Sequence, residues 1–188
     1  MPSSIRRLTA LDHGRLSRLL RRALAPGPSQ DRWRTEFVGL LRAHRVAERD
    51  HVLPAVVAGV PALAQVARDL AQDDVELDRI ADEVERAGGP ELQDRVGRAL
   101  DAHTRRWAVE LMAPLEDAVP RLEVRRLGGA YEQERDARLA DQGVVEAPPR
   151  RLDLSRAELY ELARRAGIDG RSSMTRGQLI AALQERTR

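Results

Sequence analysis

The sequence predicts an all-α protein, an up-down-up-down four-helix bundle followed by a small C-terminal helix-extended-helix module. Three observations point there. Aromatic residues make up only 3% of the 188 positions, which leaves little of the ring-rich material that sheets prefer. Four long stretches carry apolar residues at spacings of three and four, the period of a helix with one buried face. The breaks between them are short clusters of proline and glycine, so that consecutive helices fold back on one another.

The first stretch covers about residues 8 to 25 and stops at "APGPS". On it His13 shares a face with Leu16, Leu20 and Leu24. The second opens after Ser29, near Asp31, and ends at "AGVP"; its stripe runs Trp33, Phe37, Leu40, Leu41, His44, Glu48, His51, Val52 and Ala55. His44 and Glu48, four residues apart, project from the same side of that helix toward the core. The third starts at Pro61, a residue suited to the first helical turn, and closes at "AGGP", with Leu70, Asp74, Leu77 and Val84 along one face, Asp73 competing with Asp74 for the inward position. The fourth starts at Pro90 and fades near Pro120, with Leu92, Val96, Leu100, His103, Trp107 and Leu111 in one stripe. These helices form a domain over residues 1–130. The stretch after Pro120, "RLEVRRLGGAYEQERDARLADQGVVEAPPRR", is polar and ends in a double proline. It reads as a partly helical linker, with residues 131–150 joining the bundle to a module over 151–188.

Composition narrows the chemistry. The absence of cysteine excludes disulfides, thiolate metal sites and cysteine nucleophiles. All 32 basic residues are arginine, which excludes a Schiff-base lysine. No run of 18 apolar residues occurs and the N-terminus has no apolar run of signal length, so the expectation is a cytoplasmic protein that does not enter a membrane. There is no Walker loop, no dinucleotide glycine fingerprint and no Gly-x-Ser-x-Gly. The expectation is a binding protein and not an enzyme.

The histidines carry the functional signal. All four of them, His13, His44, His51 and His103, fall on faces that should be apolar. If about a third of helix positions face a core, four independent placements there have a chance on the order of one in eighty. A buried polar group without a partner costs about 1–3 kcal/mol, so such a cluster should have something to bind. Imidazole suits iron, zinc or copper, a carboxylate adds affinity for harder ions, and bundle cores house such sites on facing helices. The pattern points to a metal site, present or ancestral.

The segments "LTALDHGRLSRLL" with His13, "HRVAERDHVLP" with His44, Glu48 and Pro54, and "AHTRRWAVELMAP" with His103 and Pro114 resemble the hemerythrin-type, HHE cation-binding family over about residues 5 to 130. The resemblance implies a four-helix bundle around a non-haem di-iron centre that binds or senses oxygen, nitric oxide or redox state, or stores iron. It carries over His13, His44, Glu48 and His103 as ligands. Two positions depart from the family. Asp74, in "QDDVELDRI", stands where a third-helix histidine would be, and can still ligate iron. Trp107 stands four residues after His103, where a carboxylate would be, and cannot. Glu110 and His51 are the nearby substitutes. The set suffices for one metal and is thin for two, so the cofactor is a mono- or di-iron centre, with a small diatomic molecule as its ligand, or a site that has lost its metal. In the last case the bundle is a scaffold for the C-terminal module.

That module is basic. Residues 150–188 hold 9 arginines and 5 acids, a net +4, and the first 149 hold 23 against 25, a net −2. Ser155 with Glu158 and Thr175 with Gln178 have the spacing of capping boxes, marking two helix starts, and Gly167 is placed to end the first helix. Leu159, Leu162, Ala163, Ile168, Met174, Leu179, Ile180 and Leu183 can form a miniature core around the extended "GIDGRSSM". The segment resembles the N-terminal module of transcription termination factor Rho and the related SAP-type motif. That resemblance implies binding to DNA or RNA, with Arg150, Arg151, Arg156, Arg164, Arg165, Arg171 and Arg176 on phosphates. Protein docking and a merely solvated basic surface stand beside it, because +4 is modest and Tyr160 is the only aromatic for base stacking.

Overall fold

The computed structural model of the chain describes residues 4–86, 90–142, 156–165 and 167–185. All regular structure among them is helical, and the chain divides into two compact units, residues 1–144 and 145–188. In the first unit, α1 (Ile5–Leu24) and α2 (Gln30–Ala47) are followed by a π-helical turn over Glu48–Val52 and then α3 (Leu53–Gly59). A short 3-10 turn over Pro61–Leu63 leads into α4 (Ala64–Arg86), and α5 (Pro90–Arg105) runs through a second π-helical turn, Arg106–Met112, into α6 (Ala113–Ala118). Packing closes a ring, with α1 on α2, α2 on α4, α4 on α5 and α5 back on α1.

The two π turns share a cause. Each immediately precedes a proline in the first turn of the next helix, Pro54 in α3 and Pro114 in α6. A proline ring inside a helix clashes with the carbonyl four residues back, here Asp50 and Glu110, both of which lie inside a π turn. The wider turn moves that carbonyl away, and the Leu53 N–H bonds back five residues, to Glu48. Helices that would otherwise break at proline therefore continue, and both wide turns fall within five residues of a site histidine.

Residues 121–141, read from the sequence as partly helical, with the linker beginning at 131, form one helix, α7 (Arg121–Asp141), packed on α1 and α2. Its buried stripe is Val124, Gly128, Tyr131, Arg135 and Leu139, stepping by four, three, four and four. The polar composition misleads because two of those five residues bury polar side chains that find partners inside. The bundle unit thus reaches past residue 130, and the linker residues 143–150 lie outside the described residues.

The core is split. One apolar cluster includes Leu16, Leu20, Phe37, Leu41, Leu77, Ile80, Val96 and Leu100; the other includes Ile5, Leu8, Val52, Leu70, Trp107, Leu111 and Tyr131. On each of the four long helices the polar residue falls between the two clusters: His13 on α1, His44 on α2, Asp74 on α4 and His103 on α5. The buried polar groups form a layer with apolar packing on both sides.

The second unit holds α8 (Arg156–Arg165) and α9 (Arg176–Glu185) around Leu159, Ala163, Ile168, Leu179, Ile180 and Leu183. Gly167, at φ 62°, takes the left-handed conformation that ends α8, and the Ile168 N–H closes a bond of 2.9 Å on the Ala163 carbonyl. The capping box of α9 is formed, with the Thr175 N–H donating to Gln178 Oε1 at 2.8 Å and the Gln178 N–H to Thr175 Oγ1 at 3.3 Å. Ser155 and the side chains of Glu158 and Leu162 lie outside the described residues. No helix among the described residues is long and apolar enough to cross a membrane.

Candidate metal centre

His13, His44, Glu48 and His103 meet in the polar layer, with ligand atoms that all lie within 4.8 Å of one another. Each is at most 5% exposed. His13 Nε2 is 3.1 Å from His44 Nε2, which is 3.0 Å from Glu48 Oε1, and Glu48 Oε2 is 3.3 Å from His103 Nε2. Three of the four elements of the ring supply them: α1, α5, and α2 with the first residue of its π turn.

The donor set fits a cation. Glu48 Oε1 and both ring nitrogens of His103 are buried and make no hydrogen bond, a state that costs about 1–3 kcal/mol per group unless something else satisfies it. The close approaches to Glu48 thus bring donor atoms together without hydrogen-bond geometry. Ligands held about 2.1 Å from one ion sit roughly 3–4 Å from each other, the range of the three contacts above. Three imidazoles and one carboxylate suit iron or zinc.

Charge within the group is already polarised. Burial, with the positive His44 beside it, holds His13 neutral, its pKa down to about 3. For His44 burial acts downward too, but the Glu48 and Asp12 carboxylates outweigh it and push the imidazole up to about 10. Glu48 is held well below the usual carboxylate range, burial being overcome by His44 and His103. In the metal-free protein His44 and Glu48 are an ion pair in an apolar interior, with a neutral His13 against them.

A second ring of buried groups holds the first. Tyr131 on α7 is 2.5 Å from His44 Nδ1 and donates to Asp12 Oδ2 at 2.5 Å. Arg135, one turn on, donates to both oxygens of Asp12 at 3.1 Å. Asp12, Tyr131 and Arg135 are no more than 6% exposed, and sequence reasoning missed all three. The signal was present in the α7 stripe, and in Asp12 as the neighbour of His13.

The other predicted ligands do not join the group. Asp74 is 3% exposed and lies beside the cluster, its Oδ1 3.3 Å from Arg45 Nε. Burial and the charge of Glu48 raise its pKa to about 6, and neither of its oxygens has a hydrogen bond. His51, in the π turn, faces α7 instead, with Nε2 3.4 Å from Glu134 Oε2. Glu110 is half exposed and lies 3.8 Å from Arg106. The π turn is the physical reason for His51: an extra residue per turn rotates it off the stripe that a regular α2 would give it. Trp107 is buried and donates its indole N–H to Thr9 Oγ1 at 2.7 Å.

Among the predicted phosphate contacts, Arg156 donates to the carbonyls of Met174 and Ser172 at 3.1 Å, and Arg171 to the carbonyl of Ile168 at 2.9 Å. Both guanidinium groups tie the module's own loop. Arg164 pairs with Glu161 at 2.9 Å on the exposed side of α8, and Arg176 also has an interaction within the protein. Arg150, Arg151 and the side chain of Arg165 lie outside the described residues.

The chain matches no protein-family model, no curated protein and no solved structure. Fold and site by themselves define its class, an all-α protein whose interior presents a buried group of three histidines and a glutamate that could hold a metal ion.

Proposed function

We propose that the bundle is a hemerythrin-like non-haem iron protein that responds to oxygen, nitric oxide or redox state. The observation that carries this reading is the convergence of His13, His44, Glu48 and His103 in a buried layer of the core. The three imidazoles and Glu48 would hold one ion; Trp107, at the place of the second carboxylate, argues against a second. Iron with four protein ligands keeps positions open for a small diatomic molecule, and this binding is the chemistry the metal would supply. The chain's own part is to keep His13 neutral, to keep the Glu48 carboxylate ionised, and to exclude water with the apolar clusters on either side.

Elemental analysis of protein purified without chelators or affinity metals tests this. The expected result is about one iron per chain, lost in folded Glu48→Gln and His103→Ala variants. A wild-type chain that holds no iron and takes up none anaerobically would sink the reading. It would leave the second one, in which the polar layer fixes the packing of a metal-free scaffold. That reading is favoured by the His44 charge, which Glu48 and Asp12 balance without a metal.

The tail is proposed to bind DNA or RNA through charge. Its net +4 and its two short helices support this, while the internal use of Arg156 and Arg171 weakens it. Binding should weaken linearly in the logarithm of salt concentration. Salt-independent binding, or full binding by a chain ending at Pro149, would move the activity to the bundle.

A further inference from the structure

His13, His44, Glu48 and His103 come from α1, α2 with its π turn, and α5, yet α7 sends two polar side chains into the same interior. Tyr131 is fully buried and has one hydroxyl proton for two neighbours at 2.5 Å, His44 Nδ1 and Asp12 Oδ2. Where that proton sits decides what His44 can do. Arg135 donates to both Asp12 oxygens, so Asp12 is a carboxylate, which can only accept. Tyr131 therefore donates to Asp12, and its oxygen is left as an acceptor for a proton on His44 Nδ1.

We infer that Tyr131, oriented by Asp12 and Arg135, is a positioning residue that holds the His44 proton on Nδ1 and so presents Nε2 as the metal-binding nitrogen. The direction of the chain is His44 Nδ1–H to Tyr131 O, Tyr131 O–H to Asp12, with Arg135 closing it. His44 Nε2, the atom freed for coordination, is the one 3.0 Å from Glu48 and 3.1 Å from His13. Metal-bound histidines generally need such a partner on the other ring nitrogen, and losing it typically lowers metal affinity 10–100-fold. Here the partner comes from α7, a helix that carries none of the ligands. The ring is also held in rotation, because Tyr131 packs edge-on to it with centroids 5.8 Å apart. This inference rests on the metal-binding reading for its purpose but not for its geometry, so the two can fail separately.

The test uses the full chain with zinc as a diamagnetic probe, and nitrogen-15 NMR of the histidine rings. In wild type, with and without zinc, His44 should show a protonated Nδ1 whose proton is far downfield and close to the Tyr131 ring. Tyr131→Phe should abolish that signal and lower zinc affinity about 10–100-fold in competition with a chelator. Should Tyr131→Phe fail to fold, Asp12→Asn is the second variant. Its amide oxygen can stay on Arg135 while its NH2 group donates to Tyr131, which turns the hydroxyl proton toward His44 Nδ1 and leaves the metal-free ring protonated on Nε2 alone, against Glu48. The Nδ1 proton signal should then vanish from a folded protein. A wild-type His44 with a bare Nδ1, or a Tyr131→Phe protein that keeps both signal and affinity, overturns the inference. Failure of wild type to take up zinc or iron strikes the metal reading alone, since the Nδ1 proton is expected in the metal-free spectrum as well.

Discussion

Replacing Glu48 by glutamine removes a charge from the polar layer with almost no change of volume. In the metal-free protein Glu48 is the carboxylate against His44 and His103, 3.0 and 3.3 Å away and 1% exposed. Taking one partner from a buried ion pair costs about 3–5 kcal/mol, because the other charge is left without compensation. The unit that would feel this is residues 1–144, for which an unfolding entropy of about 2.1 cal/mol/K per residue gives roughly 0.3 kcal/mol/K. The expected fall in Tm is therefore about 10–17 °C. Glu48→Gln and wild type should be dialysed against chelator at pH 6.5 and melted side by side, following helical circular dichroism. A loss of less than about 2 °C would refute the argument, since it would mean that His44 and Glu48 are not a charged pair in the folded chain. Adding zinc or iron should raise the wild-type Tm, as any ligand of the native state does, and leave the variant nearly unmoved.

The metal-free protein should also be most stable near pH 6.5. His13, with a folded pKa of about 3 against 6.5 when unfolded, resists protonation in the fold, so stability falls as pH drops below 6.5, and His13→Gln should flatten the profile between pH 6.5 and 5. His44, at about 10 against 6.5, contributes stability that is full below 6.5 and lost as pH rises toward 10; a Tm that climbs across that range would contradict the assignment. In the C-terminal module, Leu159→Ala should cost about 2–5 kcal/mol. A unit of this size has little more than that to lose, so the resonances of α8 and α9 should collapse while the bundle's melt stays where it was.

How much of this was legible in the sequence differs by feature. The helical class, the four long helices and the convergence of His13, His44, Glu48 and His103 follow from local rules. Period and Pro-Gly punctuation fix which residues share a face, and a face crowded with leucine has only one place to go. The Thr175–Gln178 cap of α9 is legible for the same reason, being decided within one turn of chain. The tertiary structure alone decided three matters. The π turns ahead of Pro54 and Pro114 turned His51 toward Glu134, because the ring clash is relieved by the chain's own path and not by its average period. Helix α7 joined the bundle through Tyr131 and Arg135, polar residues that a hydrophobic count scores as surface, because Asp12 and His44 wait for them 119 and 87 positions away in the chain. Asp74 was kept beside the cluster and not in it, because Arg45 from the neighbouring helix lies against its carboxylate. Local spacing sets which face a side chain takes, whereas the identity of its partner across the core depends on helices brought together only by folding.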